Sequence, residues 1–409
     1  MYIRWQETYL REALETRRVL LITGPRQCGK TTLAKTLIQD DIEYRTLDTP
    51  SLLEAAKLDP VDFLSHTGQR MIIDEIQRAP ELLLAIKLKV DENTRPGQYI
   101  LTGSANVQAL PGVQESLAGR IRKIRLRPLS QGELLGQLPT FLDQSFQKIW
   151  PKVLEMNGEN RTEVLYRAFC GGFPEALLLN ERERRKWHQD YMESLLERDL
   201  QYILNLRRIG AMRQLVQTVA AWSSKFMNLS AIGTGLGIQR ATLESYLNAL
   251  EALYIIERVP AWLKTDYEYV NKQDKLFMTD SGLMASLLEW QPEQVRLDAD
   301  RAGKLMETFV FNELSALVDR SGGEYTLYHY RDQEKREIDF LIKRDDGALL
   351  GIEIKAGSTV NREAFKHLKW FRDNLAKDVP FIGLVLYTGK QSLSFGDDCW
   401  AIPINCLWE

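Results

Sequence analysis

Phosphate chemistry is the first chemistry these residues suggest. Leu20 to Thr32 reads LLITGPRQCGKTT, with G-x4-G-K-T at Gly24, Gly29, Lys30 and Thr31. Glycines at those places let backbone N–H groups wrap a phosphate chain, and a helix opening at the loop adds its positive N-terminal potential. Lys30 is spaced to reach β and γ phosphates, and Thr31 to give an oxygen to Mg²⁺. The candidate nucleotide-binding set is Gly24, Pro25, Arg26, Gln27, Cys28, Gly29, Lys30, Thr31 and Thr32, with ATP and Mg²⁺ as cofactors. The Cys28 thiol suggests no chemistry of its own and reads as a small filler.

A loop of this kind needs acids. Met71 to Gln77 reads MIIDEIQ, which puts Asp74 44 residues after Lys30. An acid at the end of a buried strand holds the Mg²⁺ shell, a role that falls to Asp74. The next acid polarises the attacking water, a role that falls to Glu75. A helix N-cap pair is the bland alternative. The following strand ends in GSAN, so Ser104 or Asn106 touches the γ phosphate or the water, or else caps a helix. Arg120 opens a stretch with five basic residues in eight, Arg120 to Arg127. It is the candidate arginine finger, in the same or a neighbouring subunit; the alternative is a basic edge strand.

A second carboxylate set lies near the C-terminus. Arg336 to Gly357 reads REIDFLIKRDDGALLGIEIKAG. Alternation makes both halves strands, turning at Asp346–Gly347. A hairpin symmetric about 346 pairs Ile338 with Ile354, Phe340 with Ile352 and Ile342 with Leu350. It also sets Asp339 opposite Glu353, where like charges repel unless a cation intervenes. This is the D…E-x-K pattern of restriction-endonuclease-like domains. Asp339 and Glu353 would bind Mg²⁺, Lys355 would orient water, and Glu307 on the helix Gly303 to Val318 offers a further carboxylate. The alternative is a nuclease-like fold used only for packing or binding.

The elements that must position these groups follow from the pattern. A helix Trp5 to Glu15 precedes a buried strand Val19 to Thr23 and a helix Thr31 to Gln39. Strands Tyr44 to Leu47, Met71 to Ile73 and Tyr99 to Thr102 then alternate with helices, among them Leu82 to Val90. That alternation predicts a parallel sheet between helices, ending near Pro128. Residues 134–210 read as mostly helical, broken by GGFP at Gly171 to Pro174. Leu229 to Val259 reads as a short helix, a turn at Gly237, an amphipathic helix and a strand. From Tyr325 the chain is strand-rich. A helix Arg362 to Leu375 and a strand Phe381 to Tyr387 complete a helix–strand–strand–strand–helix–strand order. The expected units are 1–133, 134–210, 211–292 and 293–409.

The chain has 409 residues and a net charge of −3, from 53 basic and 56 acidic residues. No whole-chain nucleic-acid footprint is present, so any such binding must be local. No run approaches the length of a membrane span, and the start lacks a signal-peptide apolar core. Four scattered cysteines, Cys28, Cys170, Cys399 and Cys406, form no zinc or disulfide framework. A reducing cytoplasm is the expected location.

TGPRQCGKTTL, IIDEIQ, LTGSAN, LAGR, CGGFPE and ERDL, in this order, resemble a family of bacterial and archaeal AAA-like P-loop ATPases. Those proteins carry a C-terminal domain of unknown function. The resemblance implies an α/β chain: a P-loop core with Walker A and Walker B motifs, a helical and winged-helix middle, and a restriction-endonuclease-like end. Glu197, Arg198 and Asp199 match the family's ERDL element, for which the residues suggest only a helix-surface ion pair. The winged helix would present Gln239, Arg240, Glu244, Ser245 and Asn248. Its four basic and three acidic residues between Arg213 and Val259 leave DNA contact and domain packing both open. The expected function is a Mg²⁺-dependent ATPase that moves its C-terminal domains, with ATP as ligand, DNA as candidate partner and a homo-oligomer as candidate assembly. The alternatives are an ATP-regulated metal-dependent DNA nuclease and a nucleotide-gated binding module with little turnover.

Overall fold

The computed structural model describes residues 2–37, 41–104, 119–150, 160–200, 209–264 and 273–408. Its N-terminal part runs α1 (Gln6–Leu14), β1 (Val19–Thr23), α2 (Lys30–Lys35), β2 (Ile42–Thr46), α3 (Pro50–Leu58), α4 (Pro60–Phe63), β3 (Arg70–Asp74), α5 (Leu82–Glu92), β4 (Tyr99–Gly103), β5 (Ile121–Arg125) and α6 (Gln131–Leu135). The strand order is β2-β3-β4-β1-β5, with every pair parallel. Alternate residues of β1 enter opposite cores. Val19 and Leu21 join Met71, Ile73 and Leu101, while Leu20 and Ile22 join Ile72, Ile100 and Ile124. A sheet covered on both faces requires such unbroken apolar strands. The basic stretch is β5, an edge strand paired with β1.

The middle runs α7 (Phe141–Gln147), α8 (Arg161–Cys170) and α9 (Glu181–Ser194), which continues into a π-helical turn at Leu195–Asp199. Then come α10 (Ile209–Trp222), β6 (Lys225–Phe226), α11 (Leu229–Leu236), α12 (Arg240–Ala252), β7 (Ile256–Val259), β8 (Lys275–Met278), α13 (Ser281–Leu287) and α14 (Pro292–Leu297). β6, β8 and β7 form a small antiparallel sheet in that order. The GGFP break is a junction. A Cβ at Gly172 would lie 2.2 Å from the Leu129 carbonyl oxygen. Its N–H donates to buried Asp280 at 2.7 Å, and Asp280 also caps α13 through the Leu283 N–H. Burial pushes the Asp280 carboxyl up to about 6.

The C-terminal part runs α15 (Ala299–Arg320), β9 (Tyr325–Arg331), β10 (Glu337–Arg344), β11 (Leu349–Lys355), α16 (Lys366–Asn374), β12 (Phe381–Tyr387), β13 (Leu393–Ser394) and β14 (Cys399–Pro403). The sheet order is β13-β14-β12-β11-β10-β9. One face, with Phe340, Ile352 and Leu384, shares a continuous apolar cluster with α15 and the middle helices. The other face, with Ile338, Leu341 and Val385, packs on α16. Among the described residues no helix is long and apolar enough to cross a membrane.

Candidate nucleotide site and a carboxylate–lysine cluster

The phosphate loop is built against β5. Gly24 has φ +150°, and a Cβ there would lie 2.0 Å from the Leu126 carbonyl oxygen. Only glycine lets the two backbones approach so closely. Gly29 caps α2 at φ +101°. Cys28 is buried below the loop, a filler as expected. Arg4 clamps the loop from the N-terminal arm, donating to the carbonyls of Cys28 at 2.7 Å and Arg127 at 2.6 Å. The Lys30 ammonium is buried and donates to the Pro25 carbonyl at 2.7 Å.

Two acids gather beside the loop. Asp74 ends β3 and accepts from the Thr31 hydroxyl at 3.0 Å, from the Tyr44 hydroxyl at 2.9 Å and from Thr102. Burial and the neighbouring Asp74 charge both raise the Tyr44 phenol. The Thr31 hydroxyl and the Asp74 carboxylate are the hard oxygen donors that Mg²⁺ takes, so these residues fit the ion. Glu75 adopts φ +62°, a left-handed conformation that a glutamate rarely holds, and its N–H donates to Thr102 at 3.1 Å. Its carboxylate accepts from the Ser104 hydroxyl at 3.1 Å and from the Gln77 amide. Gln77 also donates to the Ser104 oxygen at 2.8 Å. Ser104, just after β4, and Gln77 thereby orient the Glu75 carboxylate. Gln77 was not singled out from sequence, although it stands two residues after Glu75 in the same motif.

A cavity of about 620 Å³ faces the loop. Arg26, Lys30, Thr31 and Glu75 line one side, and Trp187, Asp190 and Tyr191 of α9 line the other. Arg26 pairs at 2.7 Å with Asp199, the acid of the ERDL element. Burial raises the Asp199 carboxyl against the pull of Arg26. That element is therefore more than a surface ion pair, because Asp199 reaches the phosphate loop. Glu197 instead meets Arg213, at 3.6 Å.

Arg120 requires a correction. It precedes Ile121, which pairs with Val19 at the start of β1, whereas the phosphate loop follows the end of β1. The sheet separates them by five residues, about 16 Å. Asp91 holds its guanidinium at 2.5 Å. Arg120 is thus not a finger for its own subunit's site. Asn106 lies outside the described residues.

Residues 16–135 match the family model described as an AAA domain. Residues 161–294 and 302–407 match models described as domains of unknown function, DUF8612 and DUF4143. The uncharacterized protein Rv2008c of Mycobacterium tuberculosis is 26% identical over 403 residues, covering 97% of this chain and 82% of that protein. Mb2031c of Mycobacterium bovis, also uncharacterized, gives the same figures. Among solved structures, the RuvB Holliday junction branch migration motor of Thermotoga maritima is 21% identical, over 62% of this chain and 88% of its own, with a TM-score of 0.27. Protein VC1899 of Vibrio cholerae is 12% identical over 95% of both chains, at a TM-score of 0.22. The fold assignment stands on the parallel sheet and its loop, not on those overlays. The N-terminal part has a P-loop NTPase fold, and it is this part that matches the AAA domain model.

The AAA domain is joined electrostatically to the rest. At the end of β5, Arg125 meets Glu257 of β7 at 2.6 Å. Arg127, 8% exposed, meets Glu257 at 2.8 Å and Asp319 of α15 at 2.6 Å. Burial would raise the Glu257 carboxyl, but the two guanidiniums overcome it and hold it down at about 2.

The C-terminal carboxylates also come together, around an unforeseen partner. The register matches expectation at Phe340–Ile352 and Ile342–Leu350, and towards Asp339 the ladder ends at Phe340–Ile352. Asp339 turns one oxygen to the Ile354 N–H, at 2.9 Å, instead of simply standing opposite Glu353. Lys275 of β8 enters the cluster, with its Nζ 2.5 Å from Glu307, 2.8 Å from Glu337 and 3.3 Å from Asp339. Glu353 is buried and meets only the half-exposed Lys355, at 3.5 Å, among described ion pairs. Burial pushes the Glu307 and Glu353 carboxyls upward. Among the described residues no group of three or more His, Cys, Asp or Glu side chains is arranged to hold a metal ion. With the ammonium in their midst, these carboxylates do not fit the Mg²⁺ expected of Asp339 and Glu353. Lys275 carried no sequence signal, since it stands 64 residues before Asp339 in an ordinary short strand.

Proposed function

We propose that this chain is a Mg²⁺-dependent ATPase whose hydrolysis step alters how the AAA domain is held to the middle and C-terminal parts. The observation that carries the reading is the constellation at the cavity: Lys30, the Thr31–Asp74 pair, and Glu75 fixed by Gln77 and Ser104. Lys30 exchanges the Pro25 carbonyl for β and γ phosphate oxygens. Thr31 and Asp74 would hold Mg²⁺, which when bound would neutralise phosphate charge. Glu75 draws a proton from the attacking water, and its fixed carboxylate limits the reorganisation needed.

Two contacts support the coupling. A phosphate at the loop competes with Asp199 for Arg26, and so pulls on the π-helical turn at the end of α9. The strand that floors the loop ends at Arg125, and Arg125 and the following Arg127 grip β7 and α15. The exposed Gln239, Arg240, Ser245 and Asn248 on α12, beside the β6-β8-β7 sheet, support DNA as the partner to try first. The test is phosphate release with and without single- and double-stranded DNA and RNA. Turnover that is lost in Glu75→Gln supports the ATPase reading. Absence of turnover under every condition, with ATP still bound, leaves a nucleotide-gated binding module instead.

A further inference from the structure

The C-terminal carboxylate cluster is where motif and geometry disagree. We propose that Lys275 is its resident cation: the ammonium takes up the Asp339 carboxylate that D…E-x-K chemistry would give to a divalent ion, and it fastens the β6-β8-β7 sheet to the C-terminal sheet in place of metal-dependent hydrolysis. The Lys275 ammonium donates to Glu337 at 2.8 Å and to Asp339 at 3.3 Å, and it stands 2.5 Å from the Glu307 carboxylate as an ion pair. The residue is 1% exposed, and a charge so deeply buried persists only when paired.

The acceptors are committed as well. Asp339 spends one oxygen on Lys275 and the other on the Ile354 N–H. Glu337 lies outside the D…E-x-K pattern, yet it supplies one of the closer contacts, at 2.8 Å. A divalent ion needs several of these oxygens within about 2.0–2.6 Å. It could not take them while a positive nitrogen sits 2.5 to 3.3 Å from the same atoms. The lysine is not free to leave. Its backbone is paired with Phe226 and Val259 in the small sheet, and the Phe226 ring lies 5.5 Å from its Nζ. The middle sheet therefore carries the cation and the C-terminal sheet most of the cage.

The test uses the full-length, nucleotide-free chain and MnCl₂ as probe, with thermal melting as readout. Wild type is expected to show no Mn²⁺-induced rise that depends on Asp339. Asp339→Asn is expected to lower the metal-free melting temperature, because Lys275 loses a partner. Lys275→Met is expected to melt lower still without metal. Mn²⁺ should then raise its melting temperature by several degrees, an effect abolished in Lys275→Met/Asp339→Asn. A Mn²⁺-induced rise in wild type that disappears in Asp339→Asn would overturn the proposal. So would an Asp339→Asn variant that melts higher than wild type without metal, the outcome expected of two repelling carboxylates. If Lys275→Met does not fold, the wild-type and Asp339→Asn arms decide the matter alone.

Discussion

Replacing Glu257 by glutamine tests whether charge holds the AAA domain to the rest of the chain. The Glu257 carboxylate is about a fifth exposed and bonds both Arg125 and Arg127. Its folded value, about 2, lies below the ordinary 4.5. The unfolded chain therefore binds more protons, and the contribution is complete above about pH 5 and lost as pH falls towards 2. The full contribution is about 3 kcal/mol, of which about 1 kcal/mol is gone by pH 3.5. Asp319 still serves Arg127 in Glu257→Gln, so the loss at pH 7 should fall at the lower end of the 3–5 kcal/mol typical of breaking a buried pair. Hydrogen exchange at Ile121–Arg125, followed by mass spectrometry, reports this opening without requiring the whole chain to unfold in one step. The gap between wild type and variant should narrow by about 1 kcal/mol between pH 7 and pH 3.5. A gap that stays constant with pH, or one below about 0.5 kcal/mol, would refute the reasoning.

Lys30→Ala should weaken a fluorescent ATP analogue at least about tenfold, because a charge-assisted phosphate contact is lost. Glu75→Gln should keep that affinity while phosphate release falls by about 10²–10⁴; normal release would remove Glu75 from catalysis. Gln77→Ala leaves Glu75 held by Ser104 alone, so turnover should fall about tenfold with binding little changed, and a matching loss of affinity would point to a collapsed site instead. Arg120→Ala should leave turnover per chain unchanged across protein concentrations, since Arg120 sits at the far end of the sheet with Asp91. A loss of turnover in Arg120→Ala, in a wild type whose specific activity rises with concentration, would restore the finger between subunits.

The AAA domain was legible because its signals are local. Val19–Thr23 is one apolar run, and Gly24 and Gly29 are needed where the backbone approaches Leu126 or turns left-handed. Asp74 and Glu75 follow an apolar strand, so their place at its end could be read directly. The hairpin register was legible for the same reason, as alternation allows one pairing that buries Phe340 against Ile352. Arg120 was misplaced because a glycine before an arginine says nothing about which end of a strand it occupies. Asp199 had no account because its partner, Arg26, is 173 residues away.

Lys275 shows the limit of a short motif most clearly. D…E-x-K specifies two strands and the carboxylates they carry; it does not specify what neutralises them. Four largely shielded acids in one place must be relieved by protons, a metal or a basic side chain. A metal leaves no trace in the chain, and a basic side chain can come from any strand that packs nearby. Here it comes from β8, whose antiparallel pairing with β6 and β7 places Lys275 over Glu307, Glu337 and Asp339. The same acids that could have made a hydrolytic centre then become a joint between two sheets. Their charge ties the C-terminal part to the middle segment, which Glu257 in turn ties to the AAA domain.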